Sequence, residues 1–268
     1  MIKNLVRGAV LLALPAALSG QTIVTSAPVA GYNPGAPVEG WYNTSFGPNA
    51  TAATTGQYPR NGNGSLSLSF SGAGSAARWT YLLSAPTLLS GWGATSMDWR
   101  GSNDVNIALN VASCTNPLDG STCSFWSMQG FTDGSSGADW STRSFAEWRL
   151  RRQGPSGGWI SNAVSCSLDN ANISNGVFNS LGAWQGTTCF GANTTQLVYE
   201  VVVNLGSSST DIPLQQAWVD NVQFAYGNTS TARAFNFETS TVPEPSTYAL
   251  MGAGLLGLFV AQRRRRRV

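Results

Sequence analysis

The sequence predicts an all-β fold, a jelly-roll-like antiparallel β-sandwich, with an N-terminal signal helix and a single C-terminal transmembrane helix added at the ends. Three observations carry this. Short segments alternate polar and apolar side chains, the period of a half-buried strand. Turn-forming clusters separate them, such as Asp133-Gly134-Ser135-Ser136-Gly137 and Gly206-Ser207-Ser208-Ser209. No interior stretch shows the period of an amphipathic helix. Between the terminal segments about 220 residues remain, enough for one domain with its own core.

The elements follow in chain order. Residues 1–20 read as a signal peptide: Lys3 and Arg7 form a basic start, Ala9 to Leu18 an apolar core, and Ala17-Leu18-Ser19 the small residues that a signal peptidase reads. Cleavage is expected after Ser19 or Gly20; Gln21 follows where a lipoprotein would need Cys. Residues 21–64 form a loop-rich N-terminal segment of the β domain, with short apolar pieces such as Gly40-Trp41-Tyr42. Residues 65–228 make the β-sandwich. Its expected strands are Ser65–Phe70, Arg78–Leu83, Asp104–Val111, Ser124–Gln129, Phe145–Arg151, Gly158–Val164, Gln196–Val203 and Ala217–Tyr226, within a total of about eight to eleven. Residues 229–241 are a linker, and 242–268 a separate tail.

In that tail Pro243 and Pro245 flank Glu244, an uncharged run covers 248–261, and Arg263, Arg264, Arg265, Arg266 and Arg267 follow. The prolines stop a helix and hold the approach extended and accessible. Fourteen helical residues reach about 21 Å, short of a hydrocarbon core of about 30 Å. A span over 247–262 closes the gap through interfacial residues and snorkelling arginines. The arginines fix that end in the cytoplasm and place residues 21–241 outside. Proline-flanked acid, span and basic tail together resemble the PEP-CTERM sorting signal of Gram-negative bacteria. The resemblance implies an exosortase as processing partner, transient residence in the inner membrane, and delivery to the cell surface or extracellular polysaccharide matrix. It implies no activity for the body.

The formal charge of +2 misleads. Seven of 15 basic residues and one of 13 acids lie in the terminal segments, which leaves 8 basic and 12 acidic residues, or −4, in the body. Nucleic-acid binding is therefore not expected. The chain has no His, which excludes Ser-His-Asp and Cys-His catalysis and His-based metal sites. Glycosidase chemistry needs only two carboxylates, but no motif singles out a pair such as Glu147 with Glu200; no catalytic residue is assigned. Cys114, Cys123, Cys166 and Cys189 are an even set in an exported chain, which favours disulfides. Of three formal pairings, Cys114–Cys123 and Cys166–Cys189 each close a local segment rich in turn formers.

Two features bear on function. In Ala217–Phe224 strict alternation puts Trp218, Asp220, Val222 and Phe224 on one face, so Asp220 sits among apolar neighbours and needs hydrogen bonds or a cation. The segment resembles the closing strand of jelly-roll sugar-binding domains, where such an element lies near a structural calcium; Asp220 is expected to anchor a loop or ligate Ca²⁺, with no other cofactor. The ten tryptophans either fill the core or stack on sugar rings. Trp92, Trp140, Trp159 and Trp184 stand in turn contexts where burial is harder and are the glycan-binding candidates, while Arg149, Arg151 and Arg152 cluster on one strand and its end. The expected function is non-catalytic binding of extracellular polysaccharide, or a structural matrix role without a ligand; a Thr-rich ice-binding face is not developed beyond Thr51, Thr54 and Thr55.

Overall fold

The computed structural model describes residues 21–101, 105–132, 137–153, 178–206, 213–227, 232–240, 252–256 and 262. Its strands are β1 (Thr22–Val24), β2 (Gly40–Asn43), β3 (Thr51–Thr55), β4 (Ser65–Phe70), β5 (Ala76–Leu88), β6 (Thr95–Gly101), β7 (Val105–Cys114), β8 (Cys123–Phe131), β9 (Gly137–Ser144), β10 (Trp148–Gln153), β11 (Phe178–Asn179), β12 (Thr195–Gly206), β13 (Gln215–Phe224) and β14 (Arg233–Phe237). A short helix, α1 (Leu181–Gln185), is capped by the Ser180 hydroxyl, which accepts from the Ala183 amide.

The strands form two sheets of seven. In the first, β13 is central: β6 and then β9 lie on one side, while β4 with β3 and β14 with β1 share the other. The second runs β11-β10-β8-β7-β12-β5-β2. Pairing is antiparallel throughout, except that β1 joins β14 in parallel. Alternating residues of both sheets fill the space between them: Trp79, Tyr81, Ile107, Leu109, Val201 and Val203 from the second meet Leu66, Leu68, Val219, Phe224, Phe235 and Phe237 from the first. Aromatic edges lock this core, with Trp41 set 5.4 Å from both Phe235 and Phe237 at steep angles.

The expected linker at 229–241 is corrected by β14, whose Phe235 and Phe237 are buried on Trp41 and Trp79. The loop-rich reading of 21–64 is likewise corrected by β1, β2 and β3. These strands are short and built from small or polar residues such as Thr51-Ala52-Ala53-Thr54-Thr55, so they carry little apolar periodicity.

One strand of each sheet, β12 and β13, contains an inserted residue. In β12 the register shifts between Val198 and Glu200. In β13 it shifts between Asp220 and Gln223, where Asn221 takes φ 48°, a left-handed conformation that Asn tolerates better than most side chains. The β13 shift overturns the expectation that Trp218, Asp220, Val222 and Phe224 share a face. Val219, Val222 and Phe224 point into the core, while Trp218 and Asp220 point away from it.

A disulfide joins Cys114 to Cys123, directly opposed at the ends of β7 and β8. Cys189 is also disulfide-bonded; its expected partner Cys166 lies outside the described residues, as do the signal segment 1–20 and the strand expected at Gly158–Val164. Within the expected span, residues 252–256 are helical. No helix among the described residues is long and apolar enough to cross a membrane.

Because Phe237 is a core residue rather than part of a linker, Phe237→Ala should cost about 3–5 kcal/mol and lower the melting midpoint by on the order of 10 °C. Differential scanning calorimetry tests this, and an unchanged midpoint would restore the linker reading.

Candidate functional site

The second sheet presents three ranks of side chains on the face turned away from the core. Register aligns Arg149, Gln129, Ala108, Val202, Thr80 and Tyr42 across six strands. Two residues along, Arg151, Ser127, Asn110, Glu200 and Leu82 form the next rank, and on the other side Phe131, Asn106, Asn204 and Arg78 form a third. Strand alternation places every member on one surface. That surface combines aromatic rings, amides and guanidinium groups, the side-chain types that stack on sugar rings and pair with their hydroxyls.

The inserted residue of β12 shapes its middle. Where two residues oppose one, both can project from the same side. Tyr199 thus reaches Phe125, ring centroids 6.0 Å apart, while the neighbouring Glu200 also faces outward. Glu200 is buried there, accepting from the Tyr32 hydroxyl at 2.5 Å and from the Asn110 amide. Burial pushes its carboxyl above the usual carboxylate range, against the opposing pull of Tyr32, Asn110 and Arg78. Arg78 donates Nε to the Thr44 carbonyl at 2.6 Å and lies over the Phe46 ring. Tyr32 also meets the Tyr42 ring edge-on, so the chain before β2 folds over this end of the sheet.

Two polar atoms on the face are unused. Asn106 is 5% exposed and its Oδ1 has no partner; Arg149 donates from Nη2 to Gln129 Oε1 at 2.8 Å, yet its Nε is buried without an acceptor. Both sit beside Phe131, which pairs with Asn106 and carries the Arg149 guanidinium 4.5 Å above its ring. An acceptor and a donor left unsatisfied at one aromatic ring is a costly arrangement that a ligand hydroxyl or anion would relieve.

The sequence-predicted tryptophans do not line this face. Eight of the nine described tryptophans are buried. Trp184 is 0% exposed and donates Nε1 to the Trp148 carbonyl at 2.6 Å. Trp92 is 7% exposed, stacks on Phe224 and Tyr226, and donates to Thr95 Oγ1. Its flanking glycines suggested an exposed turn, but they let the loop close tightly: the Gly93 amide donates to the Ala225 carbonyl at 2.8 Å. Neither indole offers a face to a ligand, and both are corrected to core residues. Trp140 is half-buried on β9, in the other sheet. Trp159 lies outside the described residues. The site residues that the sequence reading passed over, Asn106 and Asn110, were signalled by their alternation with Val105, Ile107, Leu109 and Val111.

Asp220 belongs to the opposite surface, beneath residues 60–63. It is 0% exposed, and its oxygens accept from the amides of Asn221 (2.8 Å), Phe237 (3.0 Å) and Asn61 (3.3 Å). Asp98 takes Arg60 Nε at 3.0 Å and Asn221 Nδ2 at 2.6 Å, and Glu238 takes the Asn63 amide at 2.6 Å. A side chain at Gly62, φ 88°, would collide with Glu238. These acids grip a loop. Amide donors surround Asp220 instead of the oxygen cage that Ca²⁺ requires, and no group of three or more Asp, Glu, His or Cys among the described residues could hold a metal. The residues present do not fit the calcium expected at Asp220; they fit the loop-anchoring alternative.

Comparison with known proteins bears on the tail. Residues 241–266 match the family model of the PEP-CTERM protein-sorting motif. The chain carries a PEP-CTERM sorting motif. It marks an exported surface protein that is processed or anchored at its C terminus. Pro243, Glu244, Pro245 and Arg263 to Arg266 fall within the match, although their placement lies outside the described residues, as does that of Arg267. No curated protein matches the chain in sequence. Among solved structures, the body is weakly similar to a family 11 carbohydrate-binding module of a cellulosomal cellulase of Clostridium thermocellum (14% identity, 73% of this chain, 93% of that one, TM-score 0.37). It is also weakly similar to a family 30 carbohydrate-binding module (14%, 72%, 78%, TM-score 0.30).

Two outcomes follow for the buried acids. Burial pushes the Asp220 carboxyl up to about 7, with the Glu238 charge acting in the same direction and three amide bonds opposing. The folded form therefore binds a proton that the unfolded chain releases near pH 4, so this group's contribution falls as the pH rises through about 4 to 7. Glu200 shifts in the same direction. The unfolding free energy should be larger at pH 5.5 than at pH 8 by on the order of 2 kcal/mol from Asp220 alone, read as a higher melting midpoint, and Asp220→Asn should flatten the slope. A chelator should leave the midpoint unchanged; a fall in EDTA that added Ca²⁺ reverses would reinstate the cation.

Proposed function

We propose that this exported, PEP-CTERM-tagged protein is a non-catalytic binder of extracellular polysaccharide, with a jelly-roll topology and its ligand on the outward face of the second sheet. The observation that carries the reading is the pair of unsatisfied atoms, Asn106 Oδ1 and Arg149 Nε, flanking Phe131 on a surface ranked with amides and rings. Sugar hydroxyls both donate and accept, and a pyranose ring offers apolar C–H patches to an aromatic face. A hydrolytic reading would need two facing carboxylates, whereas the described strands of this sheet contain one acid, Glu200, held by Tyr32 and Asn110.

Processing partners in this reading are a signal peptidase at the front and an exosortase at the tail, with passage through the inner membrane on the way to the surface or matrix. The second reading, a structural matrix protein without a ligand, rests on the buried tryptophans, which explain the aromatic content by packing alone.

A glycan array probed with the full chain in detergent separates the two. Saturable binding should appear for one polysaccharide class, and Asn106→Ala and Tyr199→Ala should each weaken it about tenfold with an unchanged far-UV circular dichroism spectrum. Silence across the array, or binding indifferent to both substitutions, would sink the assignment of this face.

A further inference from the structure

The outward face of the first sheet holds an indole that the fold itself does not fully use. Trp218 points away from the core, yet it is only 8% exposed. Its Nε1 is buried and has no acceptor. An N–H left in that state carries a cost that a ligand acceptor would relieve. Register sets Ser67 on one side of Trp218 and Arg100 on the other, and Gln216 lies two residues along the same strand on the same face. These three side chains are half-buried, so they remain within reach of solvent.

The ring packed on the indole is Tyr58, which meets it edge-on with centroids 4.6 Å apart and carries the Arg100 guanidinium 3.8 Å from its own centroid. Tyr58 is held at φ 55°, in the left-handed region. A bulky side chain is crowded there, and the Pro59 that follows favours an extended residue before it. Bonds on both sides pin the loop: the Ser65 hydroxyl donates to the Gln57 carbonyl at 3.1 Å, and Arg60 Nε donates to Asp98 at 3.0 Å. The Tyr58 ring between them is 38% exposed. Movement of this one residue would both shed strain and uncover the donor beneath it.

We infer that Trp218 is the stacking platform of a second carbohydrate site, on the outward face of the first sheet, with Tyr58 as its movable cover and Ser67, Gln216 and Arg100 as the groups that meet sugar hydroxyls. This rests on the glycan-binding reading above and adds a site back to back with the first. A pyranose ring lays its C–H face on an indole, and a sugar oxygen accepts from Nε1. The hydroxyl, amide and guanidinium beside it supply donors and acceptors to hydroxyl groups that need both. The outward faces of a sandwich point in opposite directions, so one molecule would hold two polysaccharide segments together.

Calorimetric titration of the full chain in detergent, against hexasaccharides of β-1,4-glucan, β-1,4-mannan and β-1,4-mannuronan, counts the sites. The inference expects two per chain for at least one of the three, with Trp218→Ala removing one and Asn106→Ala the other. Trp218→Phe deletes an N–H that has no partner in the free protein, so the melting midpoint should hold within about 2 °C, while affinity at this site falls about fivefold. Tyr58→Gly suits the positive φ and removes the cover, so binding at this site should tighten about threefold; a Tyr58 that only packs would leave affinity unchanged, which would overturn its role as a cover. A single site lost in Asn106→Ala and indifferent to both Trp218 substitutions would overturn the inference and leave the second-sheet reading intact. A single site lost only in Trp218→Ala would uphold the Trp218 platform and overturn the second-sheet assignment. Silence toward all three sugars, with circular dichroism confirming the fold, would overturn both.

Discussion

Alternation is the rule that a β-strand cannot break without inserting a residue, and this protein breaks it in β12 of one sheet and in β13 of the other. At Tyr199 the insertion puts an aromatic ring and a carboxylate side by side on the outer face of the second sheet. At Asn221 it lets Trp218 and Asp220 face outward while Val222 and Phe224 return to the core. Without the second insertion, either the aspartate or the two apolar residues would be on the wrong side. The core is compatible with a buried carboxylate in the same strand only because the backbone steps aside at a residue that accepts a positive φ.

The two outward acids that result are used differently. Asp220 is one of three carboxylates that hold residues 60–63 against the first sheet, Asp220 and Glu238 by the backbone amides of Asn61 and Asn63 and Asp98 by the Arg60 guanidinium, and a glycine at position 62 permits the approach. This is loop fixation, and it covers that part of the sheet with residues 60–63. Glu200 is held by side chains, Tyr32 and Asn110, within a surface whose remaining polar atoms are not all satisfied.

Much of the framework was legible. Ser65–Phe70 coincides with β4, and the expected segments at Arg78–Leu83, Asp104–Val111 and Gln196–Val203 lie within or close to β5, β7 and β12 because their apolar residues alternate. Strands lacking large apolar residues, such as β3, and those beyond a turn cluster, such as β14, gave no comparable signal. The sorting motif was legible, since it is a linear pattern. The candidate face was not: it is assembled from strands far apart in sequence, and no local pattern reveals that Arg149 and Gln129 share a rank with Tyr42. Trp92 misled for a related reason. A tryptophan between glycines reads as exposed, yet small neighbours are also what allows a loop to press an indole inward.

The parallel pairing of β1 with β14 joins Thr22 to Phe235, the two ends of the domain. In an exported chain that emerges amino end first, β1 has no partner until nearly all the rest has crossed. Closure of the first sheet is thus a late, long-range event, with the entropy cost that such contacts carry. The matched sorting motif begins only four positions after β14 ends. The strand that closes the first sheet is therefore the last strand of the described body before the motif, and a chain cut short of Phe237 would leave β1 without its partner.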